Sequence, residues 1–222
     1  MSMQQLVIQE NNLAVAMIED GAYDEASSKL CAVFQAYKNC CCENDSANIS
    51  KSSISISLDE CMAAGHPMSS SVDPEFPFMY SDAIRISPKI VAAGIPKNDV
   101  ISVILFNLAL SYHLSALDSM DPDTDLRKAL HVYEHLYTMQ QERQENFVSN
   151  LTFVLSVLNN MGIIHQWRNE DAIAARCFDK LLSALMLISS NNQSTGRKSE
   201  EVVFRGFYRN VILNRPPCAS AA

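Results

Sequence analysis

Three stretches of this chain repeat one short pattern, in which an asparagine precedes a large apolar residue and then a small one. The stretches are Asn12-Leu13-Ala14, Asn107-Leu108-Ala109 and Asn160-Met161-Gly162. Each lies in a helical pattern, and a second helical pattern follows it with a small residue on the inner face, at Ala26, Ala129 and Ala174. Because one helix pair cannot bury its apolar face alone, the repetition predicts a mainly helical chain of stacked pairs.

The residues around these stretches resemble the tetratricopeptide (TPR) repeat, a helix pair of about 34 residues. The large-then-small step matches the family in all three pairs, and Tyr112 matches the aromatic residue that follows it. The bulky residues of the second helices are Leu30, Tyr133 and Phe178. Met17 and His165 depart from the aromatic position, the repeat-ending proline is absent, and the pairs are not contiguous. The resemblance implies a TPR-like α-solenoid of three helix pairs plus a C-terminal capping helix.

The expected organisation is one TPR-like domain over residues 1–214, with an insertion between the first and second pairs. The pairs are predicted near residues 3–38, 96–141 and 146–189, the cap at 200–214, the insertion at 39–95 and a disordered tail at 215–222. Within the insertion, Ile54, Ile56 and Leu58 alternate with serine, and a second extended apolar run spans residues 78–86. These runs predict an inserted β-hairpin that leans on the helical stack.

The asparagine before each large residue occupies the same register three times, at Asn12, Asn107 and Asn160. The resemblance implies that this position faces a concave groove, where an amide can donate to a peptide carbonyl and accept from its N–H. The alternative is that these asparagines bridge adjacent first helices or complete a local hydrogen-bond network. The flanking candidates for the peptide-binding groove are Asn11, Asn159, His113, Gln166 and Trp167, and core packing is the competing interpretation for the aromatic residues Tyr112 and Trp167.

The charge pattern restricts the partners that such a groove would accept. No lysine or arginine lies in residues 100–117 or 146–167, so a clamp for an acidic C-terminal tail is disfavoured. The net charge of −8 favours nonpolar or basic peptides, and the lack of a basic cluster argues against nucleic acid. The same two stretches approach the length of a membrane span, but the Asn, Ser and His residues within them favour helices of a soluble stack over a membrane partner.

Catalytic and metal-binding patterns are weak in this sequence. His131, Glu134 and His135 have the order of an inverted zinc-protease helix, but no further ligand is evident, and a solvated helix face is the favoured interpretation. No glycine-rich nucleotide loop or nucleophile elbow is present. We therefore expect no catalytic residue, no metal and no cofactor.

Cysteine usage and the N-terminal sequence give the expected location. The seven cysteines are an odd number, and three of them are consecutive, at residues 40–42. The first ten residues lack the basic start and apolar core of a secretory signal. Reduced thiols in the cytoplasm or nucleus, rather than in a secreted protein, are expected.

These observations predict a non-enzymatic protein–protein interaction module that holds an extended segment of a protein or peptide partner in a helical groove. A self-associating structural subunit, with contacts on the inserted hairpin and on the ends of the stack, is the alternative. A metal-dependent hydrolase built on the histidine pair is the remote alternative. The sequence specifies neither the partner nor the oligomeric state.

Overall fold

The computed structural model describes residues 2–44, 77–87, 90, 95–142, 150–191 and 198–214. In these ranges the chain forms seven long helices and no β-strand. The helices are α1 (Met3–Glu19), α2 (Tyr23–Asn44), α3 (Lys97–Asp118), α4 (Asp123–Glu142), α5 (Leu151–Trp167), α6 (Asp171–Asn191) and α7 (Lys198–Leu213). The prediction of a mainly helical chain with packed adjacent helix pairs is confirmed.

Two of the helix pairs turn through the same backbone motif. After α1, the N–H of Gly21 donates to the Ile18 carbonyl, and the N–H of Ala22 donates to the Met17 carbonyl at 2.8 Å. Gly21 has a φ of 79°, the left-handed conformation that ends a helix in a Schellman motif. After α5, the corresponding residue is Asn169, with a φ of 57°. Asparagine tolerates this conformation better than other side chains, so both sequences specify a tight helix–helix turn.

The second of these turns also carries a partly buried cluster of His165, Arg168 and Glu170, in which Arg168 and Glu170 form an ion pair. His165 Nδ1 lies 2.6 Å from a carboxylate oxygen of Glu170, and Arg168 Nε donates to the other oxygen at 3.1 Å. The hydrogen bond to His165, followed by the interactions with Arg168, lowers the pKa of Glu170. The charged carboxylate therefore ties the end of α5 to the residue that begins the turn into α6.

The chain divides into two compact units. The first unit contains α1–α4 and residues 81–87. In it, α1 packs on α2, α2 on α3 and α3 on α4, and α1 also contacts α3. The small residues that mark the repeated pattern are fully buried in this unit, at Ala14, Ala26, Ala109 and Ala129. Their lack of bulk lets the helix axes approach closely.

The second unit contains residues 77–80 and α5–α7. Helix α5 packs on α6, α6 packs on α7, and α5 also contacts α7. Gly162 of α5 faces the ring of Phe178, and a Cβ at Gly162 would lie 2.7 Å from that ring. The glycine in the third repeat of the pattern is therefore required by the close approach of α5 and α6.

Helix α3 is long and apolar enough to cross a membrane, but 72% of its most apolar 18-residue window is buried inside the protein. It contacts α1, α2 and α4 within the first unit. A core helix enclosed by its neighbours passes the same length and composition test as a membrane span, and the packing of α3 accounts for its composition.

The inserted segment is described only in part. Residues 77–87 are extended and have no strand partner among the described residues, while the first predicted strand, at residues 54–58, lies outside them. Helix α2 continues to Asn44, six residues beyond the predicted end of the first pair. The hairpin, the regular solenoid, the single domain over residues 1–214 and the tail at 215–222 stay predictions.

Candidate functional site

The extended segment, residues 77–87, presents alternate side chains to the helices. Phe78, Tyr80, Ile84 and Ile86 are buried, whereas their neighbours in the segment are half-buried. In extended backbone, residues two apart share one face, so one side of this segment is apolar and packed. The backbone N–H and C=O of all four buried residues are hydrogen-bonded to asparagine side chains, as follows.

In the first unit, three asparagines hold two residues of the segment. The Oδ1 atom of Asn107 accepts from the Ile84 N–H at 2.8 Å, and its Nδ2 donates to the Ile84 carbonyl at 2.9 Å. Asn12 makes the same pair of bonds with Ile86, at 2.9 and 2.8 Å. Asn11 adds a second donor to the Ile84 carbonyl at 3.2 Å.

In the second unit, three other asparagines repeat this arrangement. Asn210 accepts from the Phe78 N–H at 2.8 Å and donates to its carbonyl at 2.6 Å. Asn160 makes the corresponding bonds with Tyr80, at 3.0 and 2.9 Å. Asn159 donates to the Phe78 carbonyl at 2.9 Å.

The two sets are equivalent bond for bond, and we call each an asparagine triad. In the first triad, Asn107 Nδ2 donates to Asn11 Oδ1 at 3.0 Å, and Asn11 Nδ2 lies 3.3 Å from Asn12 Oδ1. In the second triad, Asn210 donates to Asn159 at 2.7 Å, and Asn159 lies 3.2 Å from Asn160. Each triad thus consists of an Asn-Asn pair on one helix and a single asparagine on a later helix.

The triads contact the chain's own extended backbone and also join neighbouring helices. The amides hold an extended backbone, and they also bridge helices: α1 to α3 in the first unit and α5 to α7 in the second. The bridges fix which amide atom faces the segment. Rotating Asn107 or Asn210 by 180° would place its oxygen against the oxygen of Asn11 or Asn159, and two acceptors repel. Five of the six asparagines are fully buried, and Asn12 is half-buried.

Chemically, each paired amide acts on the segment as a neighbouring β-strand would. It supplies one acceptor and one donor to a single residue, which is the pattern exchanged within an antiparallel ladder. Such contacts read the backbone and leave side-chain selection to the surroundings.

The side-chain surroundings differ between the two triads. In the second unit the Phe78 ring lies on Gly206 of α7, where an added Cβ would come within 2.3 Å of it, and it meets Phe207 edge-on at 5.6 Å between ring centroids. In the first unit Arg85 binds the Glu19 carboxylate through Nε, at 3.2 Å, and through a terminal nitrogen. Its other terminal nitrogen donates to the Asn12 carbonyl at 3.1 Å.

The remaining predicted groove residues are placed as follows. His113 is buried in the first unit, edge-on to Tyr133 at 6.2 Å, and burial lowers its pKa to about 3. Gln166 is half-buried, and Trp167, the last residue of α5, is 37% exposed. Their assignment to a groove stays a prediction.

Sequence reasoning missed two parts of this arrangement. Asn210 was included only in a capping helix, although it precedes two apolar residues and follows Gly206 by one helical turn, and these signals could have found it. The chain's own segment was interpreted as a strand. Its alternating apolar residues indicated an extended conformation without indicating its partner.

The metal hypothesis finds no support in the described part of the chain. His131, Glu134 and His135 are exposed on α4, and no group of three or more His, Cys, Asp or Glu side chains there could hold a metal ion.

Comparisons with protein-family models, with curated proteins and with solved structures give no match for this chain.

Proposed function

We propose that this chain is a non-enzymatic protein-interaction module whose asparagine triads hold an extended segment of a protein partner. The observation that carries the proposal is the paired bonding of Asn12, Asn107, Asn160 and Asn210, each to the N–H and C=O of one extended residue. A surface that satisfies both polar groups of alternate residues is suited to any extended chain with apolar side chains at the same spacing.

The helix packing supports a TPR-like arrangement for this module. In the first unit each helix packs on the next, and the first helices of successive pairs, α1 and α3, also touch. In the second unit α5 and α7 have the same relation. This is the packing expected of stacked helix pairs, with α7 as the first helix of a further pair rather than only a cap.

Hydrogen bonds and apolar side chains would contribute differently to the binding of a segment. Each hydrogen bond contributes a net of about 0.5–1.5 kcal/mol, and each buried large apolar side chain contributes about 1.5–3 kcal/mol. Affinity would therefore come from the alternating apolar residues, while the amides would set register and direction. In this structure the chain's own residues 77–80 occupy the second triad and residues 81–87 occupy the first, and a partner segment at either triad would displace them.

A fluorescent peptide copy of residues 81–87, the part of the segment that lies in the first unit, tests the proposal. The full chain with Ile84→Ser and Ile86→Ser loosens the internal copy, because it removes two buried side chains without touching an asparagine. We expect this variant to bind the peptide in anisotropy titrations at least tenfold more tightly than the wild type does.

Adding Asn12→Ala to the double-serine variant supplies the matched control, since Asn12 is the half-buried member of its triad. Peptide affinity should fall severalfold, while circular dichroism remains unchanged. A folded double-serine variant that binds no peptide would make the segment a permanent part of the fold and end the proposal.

A self-associating subunit is the second candidate, and exposed apolar side chains favour it. Met186 on α6 is 62% exposed, and Ile212 and Leu213 on α7 are 69% and 61% exposed. Under this alternative, light scattering would show a mass that rises with concentration and that Met186→Lys with Ile212→Lys would return to monomer. A monomer at every concentration would count against it.

A further inference from the structure

Beside the first triad, the side chain of Arg85 makes specific contacts of its own. Arg85 lies between the two buried residues Ile84 and Ile86, and its guanidinium spans two acceptors on α1. One acceptor is the Glu19 carboxylate, and the other is the Asn12 carbonyl. The same residue Asn12 therefore contacts Ile86 through its side chain and Arg85 through its backbone.

The surroundings of Arg85 favour a cation for several independent reasons. Glu19 is the last residue of α1 and Asp20 follows it, so two carboxyl side chains lie at the C-terminal end of the helix. That end also carries the negative pole of the helix dipole, and the last turn of α1 contains no basic residue. A carboxylate in place of Arg85 would face the Glu19 carboxylate and the Asn12 carbonyl oxygen, and both disfavour a second negative charge.

We propose that the first unit selects partner segments with the pattern apolar–arginine–apolar, which compete with the chain's own Ile84-Arg85-Ile86. The inference rests on the proposed function and names the class of partner for one of its two sites. Two adjacent N–H groups of arginine match a carboxylate side by side, which the single ammonium of lysine cannot do.

The site would distinguish segments mainly by repelling those with an acidic side chain at the position of Arg85. The side chains of Arg85 and Glu19 are 39% and 43% exposed, so their attraction is screened by water and adds modestly to affinity. Placing an acidic side chain at the same position replaces attraction with repulsion and removes the hydrogen bond that Arg85 donates to the Asn12 carbonyl. A partner with an acidic residue between its two apolar anchors would thus be excluded.

A charge-swap experiment on the full chain tests the inference. Two fluorescent peptides copy residues 81–87, one with the natural arginine at position 85 and one with glutamate at that position. Three variants receive them: Arg85→Glu, Glu19→Arg, and the double variant. Each single variant weakens the internal copy by charge repulsion, whereas the double variant restores an opposite-charge pair within the chain.

The Arg85→Glu chain should bind the arginine peptide about three- to tenfold more tightly than the glutamate peptide. The Glu19→Arg chain should show the reverse order. The double variant should bind the arginine peptide more weakly than either single variant does, and it should bind the glutamate peptide more weakly than the Glu19→Arg chain does. Circular dichroism checks that all three are folded, as expected for changes at partly exposed positions.

The outcomes separate this inference from the function on which it rests. If both single variants bind the peptides in the same order, or without preference, the charge selection is wrong while peptide binding stands. If no folded variant binds either peptide, the proposed function fails and the inference fails with it.

Discussion

The two asparagine triads hold backbone in the same way but surround it with different side chains. The first triad holds aliphatic Ile84 and Ile86, with Arg85 paired to a carboxylate between them. The second holds aromatic Phe78 and Tyr80, and the ring of Phe78 fills the space above Gly206. The comparison separates two tasks: amides at fixed helical positions set the path of an extended chain, and the adjoining side chains decide which sequence fits.

The largest expected difference between the two units is in their stability at acidic pH. Burial lowers the pKa of His113, in the first unit, to about 3, from an ordinary value near 6.5. The neutral ring therefore contributes stability that is present above pH 6.5 and is lost as the pH falls toward 3, by up to about 1.4 kcal/mol per pH unit.

In the second unit, Glu170 also has a lowered pKa, but its contribution begins to fade only below its ordinary value of 4.5. Hydrogen exchange at pH 7 and pH 5 should show loosening of α3 and α4 before α5 and α6. His113→Leu should abolish that order, and earlier loosening of the second unit would contradict the prediction.

Removing the single asparagine of either triad should cost nearly the same. Asn107→Ala leaves the Ile84 N–H and the Asn11 oxygen without their partners, and Asn210→Ala does the same to Phe78 and Asn159. Each change should lower the free energy of unfolding by about 2–4 kcal/mol, since two buried polar groups lose their hydrogen bonds.

Urea denaturation followed in both variants measures this effect, with exchange of the Ile84 and Phe78 amides as a local readout. A cost below about 0.5 kcal/mol in one variant and several kcal/mol in the other would break the equivalence of the triads.

Gly206→Ala should disturb only the second triad. The added Cβ would overlap the Phe78 ring, and such overpacking lowers the free energy of unfolding by about 1–3 kcal/mol. Alanine is more favourable than glycine within a helix by roughly 1 kcal/mol, which offsets part of that loss. The matched experiment repeats the substitution in a Phe78→Ala background, where it should become stabilising. Thermal unfolding of the four proteins gives the result, and the same sign in both backgrounds would show that the ring does not set the requirement for glycine.

The smallest expected effect lies at the ion pair that distinguishes the first triad. Arg85→Ala should lower the free energy of unfolding by no more than about 1 kcal/mol, because both partners are partly exposed. Raising the salt concentration to 1 M should shrink the difference between variant and wild type. A loss of several kcal/mol that is insensitive to salt would mean that the Arg85 stem, rather than its charge, holds the segment.

Much of this architecture follows from local pattern. The small residues Ala14, Ala26 and Ala129 identified the faces where helices approach, and the asparagine register identified Asn12, Asn107 and Asn160. The sequence pattern treats these three asparagines as equivalent, but their hydrogen bonds differ. Asn12 and Asn160 bond the asparagine before them, whereas Asn107 donates to Asn11 on another helix, as Asn210 does to Asn159. Helical register fixes which way a residue faces, but its partner depends on which helix lies alongside.

The extended segment at residues 78–86 shows the same point: local sequence indicates its conformation but not its partner. Period-2 alternation at residues 78–86 indicates extended backbone with one packed face, and a β-strand or a row of amides satisfies that backbone equally well. Asn210 was missed because Ile212 stands where the pattern has a small residue, so the repeated pattern does not extend to α7. Local sequence could not decide between these partners because the contacts span as many as 132 residues.

Because the chain's own segment fills the triads, any partner segment must compete with it, and this lowers the partner's apparent affinity. An external segment can bind a triad only in those molecules whose own residues have left it, so its apparent dissociation constant is the intrinsic one divided by that fraction. If one molecule in a hundred is open, binding is a hundredfold weaker than the triads alone would allow, and every 1.4 kcal/mol removed from the internal contact makes binding about tenfold tighter. Small changes within eleven residues would then adjust the response of the whole protein without altering a single asparagine.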